Sequence, residues 1–210
     1  MATAETAFRR TINTAFHQVV AFGTLSLVGS VVSLPVVTAG PAVIGVAYGV
    51  TIIFRRGAQH GVRETFGIFK TGFARHMVEG ILLSLALVVL MGSTWSNLMI
   101  LFGGPAPLTG AVLILSLALL AACTLVVMHA VSLIACGVGL TPAVRDGTVL
   151  LVRRPIATLS QAGVIASLLV LGLLTMFGWA LIGFAVAAAF SVAATDRVYV
   201  DLGHGSPLYP

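Results

Sequence analysis

The sequence predicts an all-α fold, a polytopic bundle of membrane-spanning helices. Of its 210 residues, 59% are hydrophobic and 8% are charged, and the mean hydropathy is +1.11. Soluble domains carry roughly 25% charged residues, so this composition is typical of a membrane protein. Three long runs contain no Asp, Glu, Lys or Arg: Thr11–Phe54, Gly80–Val144 and Pro155–Thr195. Because a helix needs about 20 apolar residues to cross a bilayer, each run has room for two spans.

We therefore expect one transmembrane domain over residues 1–200 and a flexible C-terminal tail over 201–210. The last apolar run is interrupted only near Gly178, so a single long, kinked helix, and hence five spans, is the alternative. The six predicted spans cover about residues 15–34, 39–54, 78–94, 109–133, 159–176 and 179–193.

The stretch "SLPVVTAGPAV", residues 33–43, breaks the first apolar run. Pro35 lacks an N–H and disfavours helical geometry in the residue before it, so it ends the first helix. Thr38 is a suitable N-cap for the next helix, and Pro41 is tolerated in a first helical turn. Together with Gly40, these residues predict a structural hairpin between the first two spans.

The charged residues predict an orientation. With six spans, all eleven Lys and Arg residues fall on one side of the membrane, which the positive-inside rule makes cytoplasmic. Both termini would then be cytoplasmic in a multi-pass protein of the cell membrane, whereas five spans would leave Arg197 outside. Because the basic residues lie between apolar runs, the net charge of +5 does not indicate nucleic-acid binding. The predicted inner interfacial basic residues are Arg55, Arg56, Arg63, Lys70, Arg75, Arg153 and Arg154.

Two short segments predict helices at the inner interface. In residues 61–77, Val62, Phe66, Phe69, Phe73 and Met77 recur at helical spacing. Such a helix suits the membrane surface, with basic residues near anionic headgroups. The alternative is an extension of span three whose phenylalanines pack on the bundle. Residues 141–155 predict a second inner helix.

Five polar residues are predicted near the inner ends of the spans. Ionisable groups within a membrane are costly and usually face the interior of a bundle. They could line a polar vestibule that binds a solute or relays a proton. The alternative is hydrogen bonding between helices. These residues are His17, Gln18, Glu79, His129 and Gln161.

The sequence carries no motif of a known enzyme chemistry. It contains no HExxH, GxSxG or P-loop pattern and no acidic cluster with the spacing of metal ligands. Cys123 and Cys136 do not form a CxxC pair and are expected to pack as small apolar residues. We therefore expect a non-enzymatic protein without cofactor or metal.

Three segments resemble a known family. "SLPVVTAGPAV" at 33–43, "FGIFKTGFARHM" at 66–77 and "TVLLVRRPIATL" at 148–159 are similar, in order and spacing, to motifs of the YesL-like family of prokaryotic integral membrane proteins. The resemblance implies a link with carbohydrate uptake and no established biochemical activity or catalytic residue.

The expected function is that of an accessory or regulatory partner of a solute-uptake system, with carbohydrate as the solute class that the resemblance implies. A small-solute channel or secondary transporter using the inner vestibule is the alternative. The expected partners are the lipid bilayer and either subunits of a membrane transport complex or further copies of the chain. Small residues at Ala42, Gly45 and Gly49 share one helix face and suit either packing within the bundle or such an interface.

Overall fold

The computed structural model confirms the all-α class. Among the residues that it describes, 89% are helical and none lies in a strand. The described residues are 9, 11–14, 16–33, 36–57, 60–102, 107–174, 183–203 and 205–209.

Eight helices organise this part of the chain, and a helical stretch over residues 11–14 and 16–17 precedes them. Their order and bounds are α1 Val19–Val32, α2 Val36–Arg56, α3 Val62–Arg75, α4 Met77–Phe102, α5 Pro107–Ala135, α6 Leu140–Arg153, α7 Pro155–Leu174 and α8 Phe184–Asp201.

Three of the described helices are long and apolar enough to cross a membrane. They are the Thr38–Arg56 part of α2, the Met77–Ile100 part of α4 and the Gly110–Ala135 part of α5. α6 and α7 give a fourth candidate only if they count as one span, and they are bent by 106° where they meet. α1 has 14 residues, which reach about 21 Å, less than the hydrocarbon thickness of about 30 Å. The helices are thus compatible with a membrane protein, and six spans remain a prediction.

The last two predicted spans correspond in part to α7 and α8. Residues 175–182 lie outside the described residues, so the turn expected near Gly178 is not among the described features. α8 continues past the predicted end at 193, through Asp196 and Arg197 to Asp201. These three charged residues make α8 less apolar than α2, α4 and α5.

The hairpin after α1 differs in detail from the prediction. α2 begins at Val36, so Thr38 lies within its first turn rather than before it. The Thr38 hydroxyl donates a hydrogen bond to the carbonyl oxygen of Val32, 2.5 Å away at the end of α1. Thr38 therefore caps the end of α1 instead of the start of α2. Pro41 lies inside α2, and Pro35 lies outside the described residues.

α2 and α4 make their closest contact through glycines. A Cβ atom at Gly40 would lie 2.1 Å from the carbonyl oxygen of Gly80 and 2.3 Å from the hydroxyl oxygen of Ser84. A Cβ atom at Gly80 would lie 2.4 Å from the backbone nitrogen of Pro41. Backbone atoms cannot move aside as a flexible side chain can, so both positions accept only glycine. The predicted role of Gly40 and Pro41 thus extends from the hairpin to a helix crossing.

The segment predicted to lie at the inner interface, α3, packs on α2 through only part of its predicted apolar stripe. Phe69 is 4% exposed and its ring stacks on Phe73 at 5.9 Å, next to Gly45 of α2. Val62 and Phe66 of the same predicted stripe are half exposed. The stripe residues Phe69 and Phe73 therefore pack on the bundle, and Val62 and Phe66, nearer the start of α3, remain accessible.

The second predicted inner helix is α6, which begins at Leu140 after Gly139 and ends at Arg153. Its buried residues, Ala143, Gly147 and Leu150, share one face. A Cβ atom at Gly147 would lie 2.9 Å from the carbonyl oxygen of Val126, so this face presses on α5. α6 thus packs closely on α5.

α8 is enclosed by the rest of the bundle. Twelve of its 18 residues are buried, most of them alanine or valine. Such small side chains allow neighbouring helices to approach closely. The largest apolar core lies where α8 meets α1 and α2, and it includes the buried residues Phe22, Leu25, Val46, Val50, Ala189 and Phe190.

The end of the chain differs from the flexible tail predicted for 201–210. α8 reaches Asp201, and residues 205–209 pack back on the bundle, with Leu208 fully buried in the same core. Arg55 of α2 and Asp196 of α8 both hydrogen-bond to this segment. The sequence offered no sign of this contact because its partners lie 10 to 153 residues away.

Arg55 is one of the predicted inner interfacial basic residues, and it hydrogen-bonds to other parts of the protein. Arg56 lies 3.5 Å from the Glu64 carboxylate in an exposed ion pair, which contributes about 1 kcal/mol or less. Exposed side chains are found at the remaining positions, Arg63, Lys70, Arg75, Arg153 and Arg154.

Replacing Gly80 with alanine should destabilise the protein by about 1–3 kcal/mol, because the new methyl group would overlap the backbone of α2. The matched control is Gly92→Ala, which also lies in α4 but has no atom within 4 Å of the position that the new methyl group would take. That change should be neutral or slightly stabilising, since alanine favours helices. Thermal melting in detergent measures both. Equal melting temperatures for the two variants would contradict the close crossing.

Candidate functional site, a polar cluster between three helices

Six buried polar side chains meet where α5, α7 and α8 come together, and we call them the polar cluster. Each helix contributes two residues spaced three or four apart, which places both on one helix face. All six are at least nine-tenths buried. The members are His129 and Ser132 of α5, Thr158 and Gln161 of α7, and Ser191 and Thr195 of α8.

His129 joins the three helices. Its Nδ1 lies 3.0 Å from the hydroxyl oxygen of Thr195, and its Nε2 lies 3.1 Å from that of Thr158. A neutral imidazole has one donor and one acceptor nitrogen, and a hydroxyl can play either role. Both ring nitrogens are therefore satisfied without a charge, although the ring is fully buried.

Gln161 is only half satisfied. Its Nε2 donates to the carbonyl oxygen of Ser191 at 3.2 Å and lies 3.3 Å from the hydroxyl oxygen of Thr195. Its Oε1 is buried and has no hydrogen-bond partner among the described residues. An unpaired buried acceptor costs about 1–3 kcal/mol, so this oxygen is a point where the cluster can take a further donor.

The cluster continues to a second hydroxyl pair. The hydroxyl groups of Ser132 and Ser191 lie 2.9 Å apart, and Ser132 also donates to the carbonyl oxygen of Met128 in its own helix. A connected set of hydrogen bonds thus runs through α7, α5 and α8. Such networks hold helices in a specific arrangement when their members are satisfied.

Chemically, the cluster offers hydroxyl, amide and imidazole groups. Hydroxyl groups and a neutral imidazole can exchange donor and acceptor roles, so the set can bind a hydroxyl-bearing solute or water, or hold the helices together. Among the described residues, no three His, Cys, Asp or Glu side chains gather where they could bind a metal ion.

The structure brings together two of the five residues predicted to form an inner vestibule. His129 and Gln161 both contact Thr195 and belong to the cluster. Gln18 is buried just before α1, and the neighbouring His17 is exposed. Glu79 lies at the start of α4 beside a different histidine, His76.

His76 and Glu79 form a separate polar pair between α3 and α4. The Nδ1 atom of His76 lies 3.9 Å from the Glu79 carboxylate, too far for a hydrogen bond. Burial lowers the pKa of His76, and the Glu79 charge opposes that shift only in part. His76 is thus favoured in its neutral form, which makes a strong ion pair with Glu79 unfavourable.

Sequence reasoning did not identify the four hydroxyl residues of the cluster. Ser and Thr are common in apolar helices, where their hydroxyls usually bond to their own helix. Thr24, Thr94 and Thr124 do so here. The only available signal was spacing, since Ser191 and Thr195 lie four apart and Thr158 lies three before Gln161.

Two surface grooves lie elsewhere. One of about 590 Å³ lies between α1 and α3, and one of about 370 Å³ runs along α6. Neither groove is lined by a described member of the polar cluster. The larger is lined by Gly23, Thr24, Leu27, Val28, Val62, Arg63 and Phe66.

Replacing Thr195 with valine keeps the side-chain shape but removes the hydroxyl that contacts both His129 and Gln161. Because two buried polar groups then lose a partner, we expect destabilisation by about 1–3 kcal/mol in detergent melting. Thr124→Val is the control, since that exposed hydroxyl bonds only to its own helix. A Thr195→Val variant as stable as the control would contradict a stabilising role for the cluster.

No family model, curated protein or solved structure matches this chain. The resemblance to the YesL-like family stays a prediction from three sequence segments.

Proposed function

We propose that the protein is a non-enzymatic multi-pass membrane protein that acts as an accessory or regulatory partner of a solute-uptake system. The resemblance of its segments to the YesL-like family supports carbohydrate as the solute class. The observation that best supports a partner role is the large apolar surface of α4 and α5, which the rest of the described chain leaves uncovered.

That surface extends along most of both helices. In the most apolar stretch of α4 only 11% of residues are buried, and in that of α5 none is. Asn97 of α4 donates to the hydroxyl of Ser116 of α5 at 2.7 Å, which links the two helices to each other. Apolar side chains more than half exposed on the pair include Leu85, Val89, Met91, Trp95, Ile100, Ile114, Leu115 and Leu119.

An apolar surface of this kind needs lipid or apolar helices around it. Helix association in membranes depends on packing and on polar contacts between helices. The linked helices α4 and α5 can supply a packing surface to a transport subunit. The remaining helices hold the start of α4 and the end of α5 in place. The exposed basic residues of α3 and α6 would add attraction to anionic headgroups or to acidic groups of a partner.

The interior of the protein supports the same proposal. A transporter needs polar groups that are free to bind solute, whereas every side-chain polar atom of the polar cluster except Oε1 of Gln161 has a hydrogen-bond partner within the protein. This arrangement suits a structural role better than a solute path. The unpaired Oε1 of Gln161 is the observation that favours the second candidate, a small-solute channel or secondary transporter that uses the inner polar residues.

We further propose six spans with both termini in the cytoplasm of a cell-membrane protein. The positions of the eleven basic residues between apolar runs support this topology. The five-span alternative differs only after residue 176.

Purified protein in sealed liposomes should move no sugar, because an accessory protein needs its transport partner. In the native host, removal of the protein should lower sugar uptake several-fold, and Gln161→Leu should restore uptake as well as the wild type does. Uptake of labelled sugars measures both. Flux through liposomes that contain the protein alone, lost in Gln161→Leu, would replace this proposal with the transporter.

A reporter that is active only in the cytoplasm should be active when fused after Pro210. The same reporter inserted between spans three and four, after Gly104, should be inactive and serves as the control. Activity at Gly104 with none after Pro210 would invert the proposed orientation. Inactivity at both positions would support five spans.

A further inference from the structure

The segment 205–209 joins two charged side chains that do not pair directly. Arg55 donates from Nε to the carbonyl oxygen of Leu208 at 2.8 Å, and from Nη2 to that of Pro207 at 2.8 Å. The same Nη2 donates to the carbonyl oxygen of Cys136, just after α5, at 3.0 Å. One guanidinium thus holds the segment and the end of α5 together.

Asp196 holds the other side of the segment. Its Oδ1 accepts hydrogen bonds from the hydroxyl of Ser206 at 2.5 Å and from the backbone N–H of Leu208 at 3.1 Å. Asp196 is only 7% exposed, so water has little access to its carboxylate and these two donors supply its hydrogen bonds to the segment. Hydrogen bonds to a charged group are about twice as strong as neutral ones.

A single side chain anchors the segment in the core. Leu208 is fully buried, while Tyr209 is 43% exposed and Gly205 is exposed. The Tyr209 hydroxyl donates to the carbonyl oxygen of Phe54 at 3.3 Å, at the end of α2. The segment is therefore held by one apolar contact and a few hydrogen bonds.

The link to α8 suits a hinge. Gly203 has a φ of +84°, a conformation that favours glycine, and a Cβ atom would meet nothing there within 4 Å. Gly205 is likewise unobstructed. At these two glycines no side chain obstructs a change of backbone conformation.

We propose that residues 205–209 form a releasable strap that fastens the ends of α2, α5 and α8 and covers the residues between them. With the strap in place, Arg55 and Asp196 are bonded and the space for Leu208 is filled. When it lifts, Arg55 and Asp196 lose their bonds to it and the space filled by Leu208 opens. This inference does not depend on the proposed function.

Cys136 lies beside the attachment of the strap, since Arg55 donates both to its carbonyl oxygen and to that of Pro207. Its thiol lies 3.9 Å from the Thr51 hydroxyl, and burial raises the pKa of the thiol above its ordinary value. The reactive thiolate is therefore scarce in the closed state. Cys123 supplies an internal reference, since it lies in α5 about 20 Å away along the helix.

The test is the rate at which a charged maleimide labels each cysteine of the full-length protein in detergent at pH 8, read by peptide mass. Ser206→Ala removes one hydrogen bond to Asp196, and Leu208→Ala removes the buried anchor. Matched controls are Ser160→Ala and Leu159→Ala, both exposed on α7.

Labelling of Cys136 should rise about tenfold in Ser206→Ala, the change expected from losing one hydrogen bond to a charged group, and further in Leu208→Ala. Labelling of Cys123 should stay at the wild-type rate in both, and the controls should match the wild type at both cysteines. Equal acceleration of the two cysteines in Ser206→Ala would mean general unfolding and would overturn the strap. Unchanged labelling of Cys136 in both strap variants would overturn it as well.

Discussion

The hydrogen bonds made by the polar face of α8 are the interactions on which the arrangement of the other helices depends. α8 is largely enclosed, and its Ser191 and Thr195 bond to side chains of α5 and α7. Immediately after them, Asp196 bonds to residues 205–209. In an apolar environment an unpaired polar group is costly, so each of these residues restricts where its partner helix can lie.

The enclosed part and the exposed part of the fold differ because their side chains differ in size. α2 and α4 approach closely at Gly40 and Gly80. The buried alanines of α8 likewise allow its neighbours to approach closely. Beyond the crossing, α4 and much of α5 carry leucine, valine and isoleucine side chains that are largely exposed. Small residues thus build the enclosed part of the protein, and large apolar residues form the surface that lipid or a partner must cover.

Part of the candidate site could be predicted from the sequence. His129 and Gln161 stand out because imidazole and amide groups are rare in apolar helices, and both belong to the polar cluster. Glu79 stands out for the same reason, yet it lies beside His76. Rarity identifies residues that need a partner but does not say which partner they have. The hydroxyl residues that complete the cluster are common in such helices, so nothing in the sequence distinguished them.

The sequence by itself determined the all-α class, the apolar helices α2, α4 and α5, and the break between α1 and α2, because hydropathy and proline act locally along the chain. Only the tertiary structure decided that Thr38 bonds back to α1, that Phe69 rather than Phe66 is buried, and that Arg55 binds residues 207 and 208. These contacts depend on distances between segments far apart in the sequence, and those distances are set by how the helices pack.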